Sequence, residues 1–255
     1  MTPDPIPLRA PSMLECRNCG AGAPLDEHFC GQCERILALG RHGDYFSFLG
    51  LPRRLAIDPR DLERRFRELS RKFHPDYFYN ASPAERLASL ERSSYLNDAY
   101  RTLRHRASRI EHLLAIEGLQ STASEAASTK VPATLLEEVF ELNEELDQIR
   151  ELRQEGGDAQ ALHARLEAAR RPIDRKRDEH ERQIEALSDR WDSQAEAPVA
   201  DRQATLEALR ELLFERKYID NLLATIEREL SGAGSTADSG APGASRLPLH
   251  AKGRP

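Results

Sequence analysis

The run Asp58-Pro-Arg-Asp-Leu62-Glu-Arg-Arg-Phe66-Arg-Glu-Leu69-Ser-Arg-Lys-Phe73-His-Pro-Asp76 sets the architecture of this chain. Its apolar residues Leu62, Phe66, Leu69 and Phe73 stand at offsets 0, 4, 7 and 11, which is one face of an α-helix. Asp58 supplies an N-cap, and Pro59 sits at the first helical position. Pro75 disfavours helical backbone at His74, so the helix ends there. Arg60, Arg64, Arg67 and Arg71 repeat at the same offsets, but roughly 160° around the helix from the apolar stripe. Flanked by Arg65 and Lys72, they read as a nearly pure basic ridge, suited to docking an acidic protein partner. A histidine and an aspartate in a proline-stiffened loop could form a catalytic pair. No Ser or Cys nucleophile pattern, phosphate loop or second metal cluster accompanies them, so no enzyme is expected.

Moving outward, Ser82 and Pro83 open a second helix patterned on Leu87, Leu90, Leu96, Ala99, Tyr100 and Leu103. A shorter third covers Ile110, Leu113 and Leu114 and stops before Gly118. Upstream, the chain's four cysteines fall as Cys16-Arg-Asn-Cys19-Gly20 and Cys30-Gly31-Gln-Cys33. Each pair can wrap two thiolates around an ion, and the two pairs together complete a tetrahedral shell. The glycines beside the ligands free backbone N–H groups to turn toward sulfur. With His28 the one other candidate nearby, a closed structural site is expected, zinc being favoured and iron admitted by the same geometry. Two disulfides, or a redox pair, are the competing arrangements.

Downstream, three long amphipathic segments are separated by Gly156-Gly157 and Ala197-Pro198. The first runs Leu135, Val139, Leu142, Leu146, Ile149 and Leu152. The second runs from Leu162 through Leu166, Ile173, His180 and Ile184 to Trp191, with Pro172 expected to kink or interrupt it. The third runs from Leu206 to Leu230. Short connections favour an antiparallel three-helix bundle, though long charged helices also leave self-association as a coiled coil open. On the first segment the core stripe is complete without Leu136 and Phe140. They form a second apolar row among Glu137, Glu141 and Glu144, which suits a partner site.

The whole chain has 255 residues, 37 Lys+Arg against 43 Asp+Glu, a net charge of −6 and 39% hydrophobic residues. That composition excludes global disorder, and no apolar run approaches the ~20 residues of a membrane span. The charge is uneven: residues 41–117 carry 15 basic and 11 acidic side chains, and residues 135–230 carry 15 and 25. Residues 1–40 hold three basic and five acidic side chains, a poor surface for phosphates, so nucleic acid is not an expected partner. The start shows neither signal-peptide nor transit pattern, which points to a cytoplasmic, reducing compartment. The expected fold is mainly α. Its parts are a flexible lead (1–13), a zinc-ribbon-like four-cysteine module (14–40), a basic helical domain (41–117), a linker (118–134), the acidic bundle (135–230) and a disordered tail (231–255).

These residues carry a resemblance. Asp44-Tyr-Phe-Ser-Phe-Leu-Gly-Leu51, the basic helix, His74-Pro75-Asp76 and Leu96-Asn-Asp-Ala-Tyr-Arg-Thr-Leu103 resemble a J domain. Leu103-Arg-His105, Arg109-Ile-Glu-His-Leu-Leu114, Glu141-Leu-Asn-Glu-Glu-Leu146 and Lys217-Tyr-Ile-Asp220 are similar, more narrowly, to the HscB-type iron–sulfur co-chaperones. The cysteine pairs resemble the metal module of that family's longer members. The resemblance implies a co-chaperone that stimulates ATP hydrolysis by a seventy-kilodalton heat-shock chaperone. His74, Pro75 and Asp76 would be the trigger, with Arg64, Arg67, Arg71 and Lys72 steering. It also implies binding of the iron–sulfur scaffold protein through Leu136, Phe140, Glu141, Glu144, Lys217 and Tyr218, and delivery of that protein to the chaperone. Lys217 stands where the family often has arginine. A general J protein recruiting another client through its bundle or metal module is the alternative.

Overall fold

The computed structural model describes residues 13–40, 43–119, 131–194 and 197–232. Nearly all of the expected lead and tail, and most of the expected linker, lie outside the described residues. The chain divides at Gly118 into two compact units.

In the first unit, β1 (Met13–Glu15) pairs antiparallel with β2 (Gly22–Pro24), Leu14 opposite Ala23. A bridge between Phe29 and Ile36 closes a second small loop. Cys16, Ala23, Cys30 and Leu37 form the buried centre of this module. Asp44 then caps α1 (Tyr45–Phe48), its Oδ1 accepting from Phe46 N at 2.9 Å. Helix α2 (Pro59–Phe73) begins at the Asp58 cap and ends where Pro75 forbids continuation. A 3₁₀ turn (Pro75–Phe78) leads to α3 (Pro83–Arg104), which opens with a reciprocal Ser82–Glu85 capping box. Helix α4 (Arg106–Ile116) follows, and Gly118 at φ +79° turns the chain out of it. Phe46, Phe48, Leu62, Phe73, Leu96, Leu103, Ile110 and Leu113 are buried, each contributing about 1.5–3 kcal/mol by leaving water.

Helix α3 departs from expectation in its first half. Leu87 and Leu90, assigned to the apolar stripe, are 50% and 56% exposed, while Ala88, Ser89 and Arg92 face inward. The stripe is phased by what the cysteine module presents to it. That module offers backbone carbonyl oxygens, and an arginine satisfies them where a leucine would leave them bare.

In the second unit a 3₁₀ turn (Ala133–Leu135) precedes α5 (Leu136–Gln154), α6 (Ala159–Ser193) and α7 (Val199–Gly232). Leu135, Val139, Leu142, Leu146 and Ile149 pack with Leu162, Leu166, Ile173, Ile219, Leu222 and Ile226 in one core. The fold is the expected three-helix bundle, with two differences: Leu152, read into the first stripe, is exposed, and α6 is not interrupted at Pro172. The residues four and three positions before it, where the ring would press on the preceding turn, are the small Ala168 and Ala169. Packing on the rest of a 35-residue helix outweighs the lost hydrogen bond.

Candidate metal centre and docking surfaces

The four cysteines are free thiols whose Sγ atoms lie within 4.8 Å of one another, placed to bind a metal ion. Cys16 to Cys33 and Cys19 to Cys30 are both 3.6 Å. Four thiolates about 2.3 Å from a tetrahedral zinc would stand roughly 3.8 Å apart, so the donor set fits that ion. Ferrous iron in four thiolates has the same shape. Two matching turns present the ligands. Gly20 N donates to Cys16 O and Glu34 N to Cys30 O, both at 2.8 Å, while Cys16 N and Cys30 N bond back to Ala21 O and Arg35 O. The first turn places Gly20 at φ +74°, as expected of a glycine beside a ligand. In the second, the left-handed residue is Glu34, at φ 58°, and Gly31 is not used this way.

The crowding of sulfurs shows in their acidity. The Arg35 backbone N–H, then the Asn18 side chain, pull Cys33 down to about 6. At Cys19 the Ala21 N–H acts in the same direction, but desolvation and the surrounding sulfurs outweigh it and push the thiol up to about 12. Such a cluster favours a cation that would neutralise all four. Nearby His28 takes no part in the cluster.

At the end of α2, His74 closes the helix and opens the next turn. Its Nδ1 accepts from Asp76 N at 3.3 Å, and the Asp76 carboxylate lies 3.5 Å away. The His74 and Asp76 side chains are 51% and 87% exposed. Along α2 the basic ridge is less pure than its spacing implies. Arg64 pairs with Asp61 and Glu68, and Arg67 with Glu63, all on the same helix. Asp61 is held below the usual carboxylate range, first by its hydrogen bond from Arg65 and next by that from Arg64. Arg71 and Lys72, in the last turn, are exposed and make no ion pair among the described residues. Arg65 turns away from the ridge, donating to Gly50 O at 2.6 Å and Leu49 O at 3.2 Å.

Behind the loop lies a constellation that apolar patterning does not anticipate. Arg92 has no exposed surface. Its Nε donates to Leu37 O at 2.8 Å, and its terminal nitrogens to Ala38 O at 3.1 Å, Glu27 O at 3.3 Å and His28 Nδ1 at 2.8 Å. A guanidinium can only donate, so His28 Nδ1 accepts; the proton then sits on Nε2, which donates to Phe48 O at 3.1 Å. Burial lowers Arg92 to about 10, which leaves it charged at neutral pH. Phe73, the residue before His74, lies against this pair. The His28 ring meets it edge-on at 5.0 Å, and the Arg92 guanidinium lies 5.8 Å from its centroid. Ser89 and Ser93 hydroxyls both donate to Phe73 O, at 2.6 and 3.0 Å. The signal in the sequence was a charged residue in phase with Leu96, Ala99 and Leu103.

On the bundle, Leu136 and Phe140 are 49% and 60% exposed, and Glu141 and Glu144 beside them are exposed too. Lys217 on α7 is exposed. Tyr218 packs instead against the bundle core, its hydroxyl buried and its acidity weakened by that burial. Among the described residues no helix is long and apolar enough to cross a membrane.

No family model matches the chain. Its structure is similar to that of the human co-chaperone protein HscB, with a TM-score of 0.60 and 26% identity over 85% of this chain and 98% of that one. It is also similar to the chaperone HscB from Vibrio cholerae, with a TM-score of 0.52 and 26% identity over 74% of this chain and 99% of that one. The chain has an HscB-like fold that carries a four-cysteine cluster.

Proposed function

We propose that this chain is a J-type co-chaperone of iron–sulfur cluster assembly. It binds the cluster scaffold protein, delivers it to a seventy-kilodalton heat-shock chaperone and stimulates that chaperone's ATP hydrolysis. The observation that carries this reading is coverage: the likeness to the human co-chaperone runs through 98% of that chain, so neither unit is left out of the match.

Each face has a physical task. Arg71 and Lys72, free of ion pairs among the described residues, carry uncompensated charge toward an acidic partner. Arg64 and Arg67 exchange their intrahelical carboxylates for the partner's. Docking through exposed charge is fast, weak and salt-sensitive. His74, Pro75 and Asp76 protrude just beyond this face and act as the trigger. To stimulate hydrolysis they must bind the hydrolysis-competent conformation of the chaperone better than its competitors. Leu136 and Phe140 present exposed apolar surface beside Glu141 and Glu144 and take the scaffold, with Lys217 exposed on α7 contributing charge. Tyr218 packs against the bundle core and contributes through the packing of that helix. The four cysteines hold a structural ion, zinc being favoured and iron admitted; such an ion cross-links the two turns and supplies no chemistry to the chaperone's reaction.

The test is single-turnover ATP hydrolysis by the cognate chaperone, with this protein alone and with scaffold added. Stimulation should rise with scaffold and vanish in His74→Gln, which leaves the fold intact because that side chain is half exposed. Stimulation indifferent to scaffold would favour a general J protein with another client. Stimulation surviving in His74→Gln would reject the trigger.

A further inference from the structure

The metal module touches the helical part of its unit at the foot of the loop proposed as the trigger, and the contact is built from buried polar groups. A module tethered only to fold itself would meet its neighbour through a generic apolar or wet surface. Here five hydrogen bonds converge on His28 and Arg92, four donated by the arginine and one by the histidine, and they tie Glu27, Leu37 and Ala38 of the module to α1 and α3. Phe29 adds a second ring 6.1 Å from Phe73, and Phe48 a third at 6.0 Å. Phe73 is fully buried and directly precedes His74. Its carbonyl is fixed by Ser89 and Ser93, and its ring by His28, Phe29, Phe48 and Arg92.

We propose that the cysteine module is a positioning element for the His74-Pro75-Asp76 loop, with His28 and Arg92 transmitting its geometry through Phe73. This rests on the co-chaperone reading above and deepens it. The last residue of α2 sets the direction in which the chain leaves the helix. With Pro75 holding φ at its own position and His74 at an extended φ −57°, ψ 126°, little else is free to set where the loop points. Clamping Phe73 on both its carbonyl and its ring converts a helix end that would fray into a fixed one. The ion enters because Cys30 is two residues from His28 and one from Phe29. The turn that holds the metal therefore also holds both rings. His28 and Arg92 touch no partner themselves; they act through Phe73.

The experiment uses the full chain and His28→Ala, which leaves all four cysteines in place. Metal content is measured first, then two independent quantities. One is amide hydrogen exchange at Asp76 and Tyr77, whose N–H groups bond to His74 Nδ1 and His74 O at 3.3 and 3.0 Å. The other is chaperone stimulation, resolved into its plateau and its half-saturating concentration. The expected result is full metal content, faster exchange at both amides, a plateau lowered roughly tenfold and a half-saturation unchanged, because Arg71 and Lys72 still dock. His28→Asn, whose amide oxygen can take the place of Nδ1, should restore both. Unchanged exchange and plateau with metal retained would overturn the proposal, as would a change confined to half-saturation. Should His28→Ala lose its metal, Arg92→Lys decides by the same readouts, since lysine keeps the charge without the planar fork. If the unaltered protein fails to stimulate any chaperone, the co-chaperone reading fails, and the exchange measurement still decides the positioning.

Discussion

In the unit that ends at Gly118 the largest wholly buried side chain is Arg92, and Arg109 and Ser89 are buried with it. In the bundle, Val139, Leu166, Ile184, Leu209, Ile219 and Ile226 are as deeply buried; one buried histidine, His180, meets Glu215, and the arginines stay at the rim. There Arg150 and Arg153 share Glu229, and Arg165 meets Glu145, all partly in water. The difference teaches how each is held. Apolar stripes tolerate small shifts, since contact with any neighbour is worth much the same. A guanidinium surrounded by carbonyl oxygens is stabilising in one geometry alone, and costly when a partner is missing. The bundle is thus robust and weakly specified at its edges. The first unit is specified atom by atom, and its four cysteines are placed to bind an ion.

Removing the ion should separate the two most. Structural zinc sites contribute about 10–16 kcal/mol of apparent binding free energy in small modules. Chelation, or Cys30→Ser, should therefore unfold residues 13–40 and loosen α3, while the bundle melts at its original temperature. Differential scanning calorimetry with and without chelator checks this, and loss of the bundle transition would break the contrast. Arg92→Met comes next. It leaves three carbonyl oxygens and His28 Nδ1 without their donor, and should cost the first unit about 3 kcal/mol. Denaturant titration followed at the two units separately measures it, with no change expected in the bundle.

The smallest effect concerns pH. His112 Nε2 accepts from Tyr45 N at 3.0 Å, and burial, only partly opposed by Asp44, holds the group below its usual 6.5. The unfolded chain then binds the proton that the folded one refuses. The stabilisation is complete above pH 6.5 and is lost as pH falls below it. His112→Gln should flatten that acid limb, visible as melting temperatures that converge with wild type as pH falls below 6.5.

What could be read from residues alone follows the same division. The helix from Pro59 to Phe73, its stop before Pro75 and the clustering of the cysteines were legible because spacing and backbone chemistry dictate them locally. So was the bundle, whose stripes need only a neighbour of similar character. Arg92 was not anticipated. Its burial depends on acceptors more than fifty residues away in sequence, and apolar patterning gave its place to Leu87 and Leu90. The basic ridge misled for the opposite reason: spacing showed like charges on one face, but not that Asp61, Glu63 and Glu68 reach round to meet them. Glu34 gave no sign because glycine is the usual mark of a left-handed residue, and a glutamate there is not.

Arg92 also has a consequence for inheritance. A guanidinium with no exposed surface is tenable only while Glu27, His28, Leu37 and Ala38 are there to receive it. A lineage that discards the cysteine pairs must replace this arginine or bring it to the surface, and one that acquires them gains little until an arginine arrives. The two should therefore descend as a single trait, although one belongs to a metal module and the other to the middle of a helix.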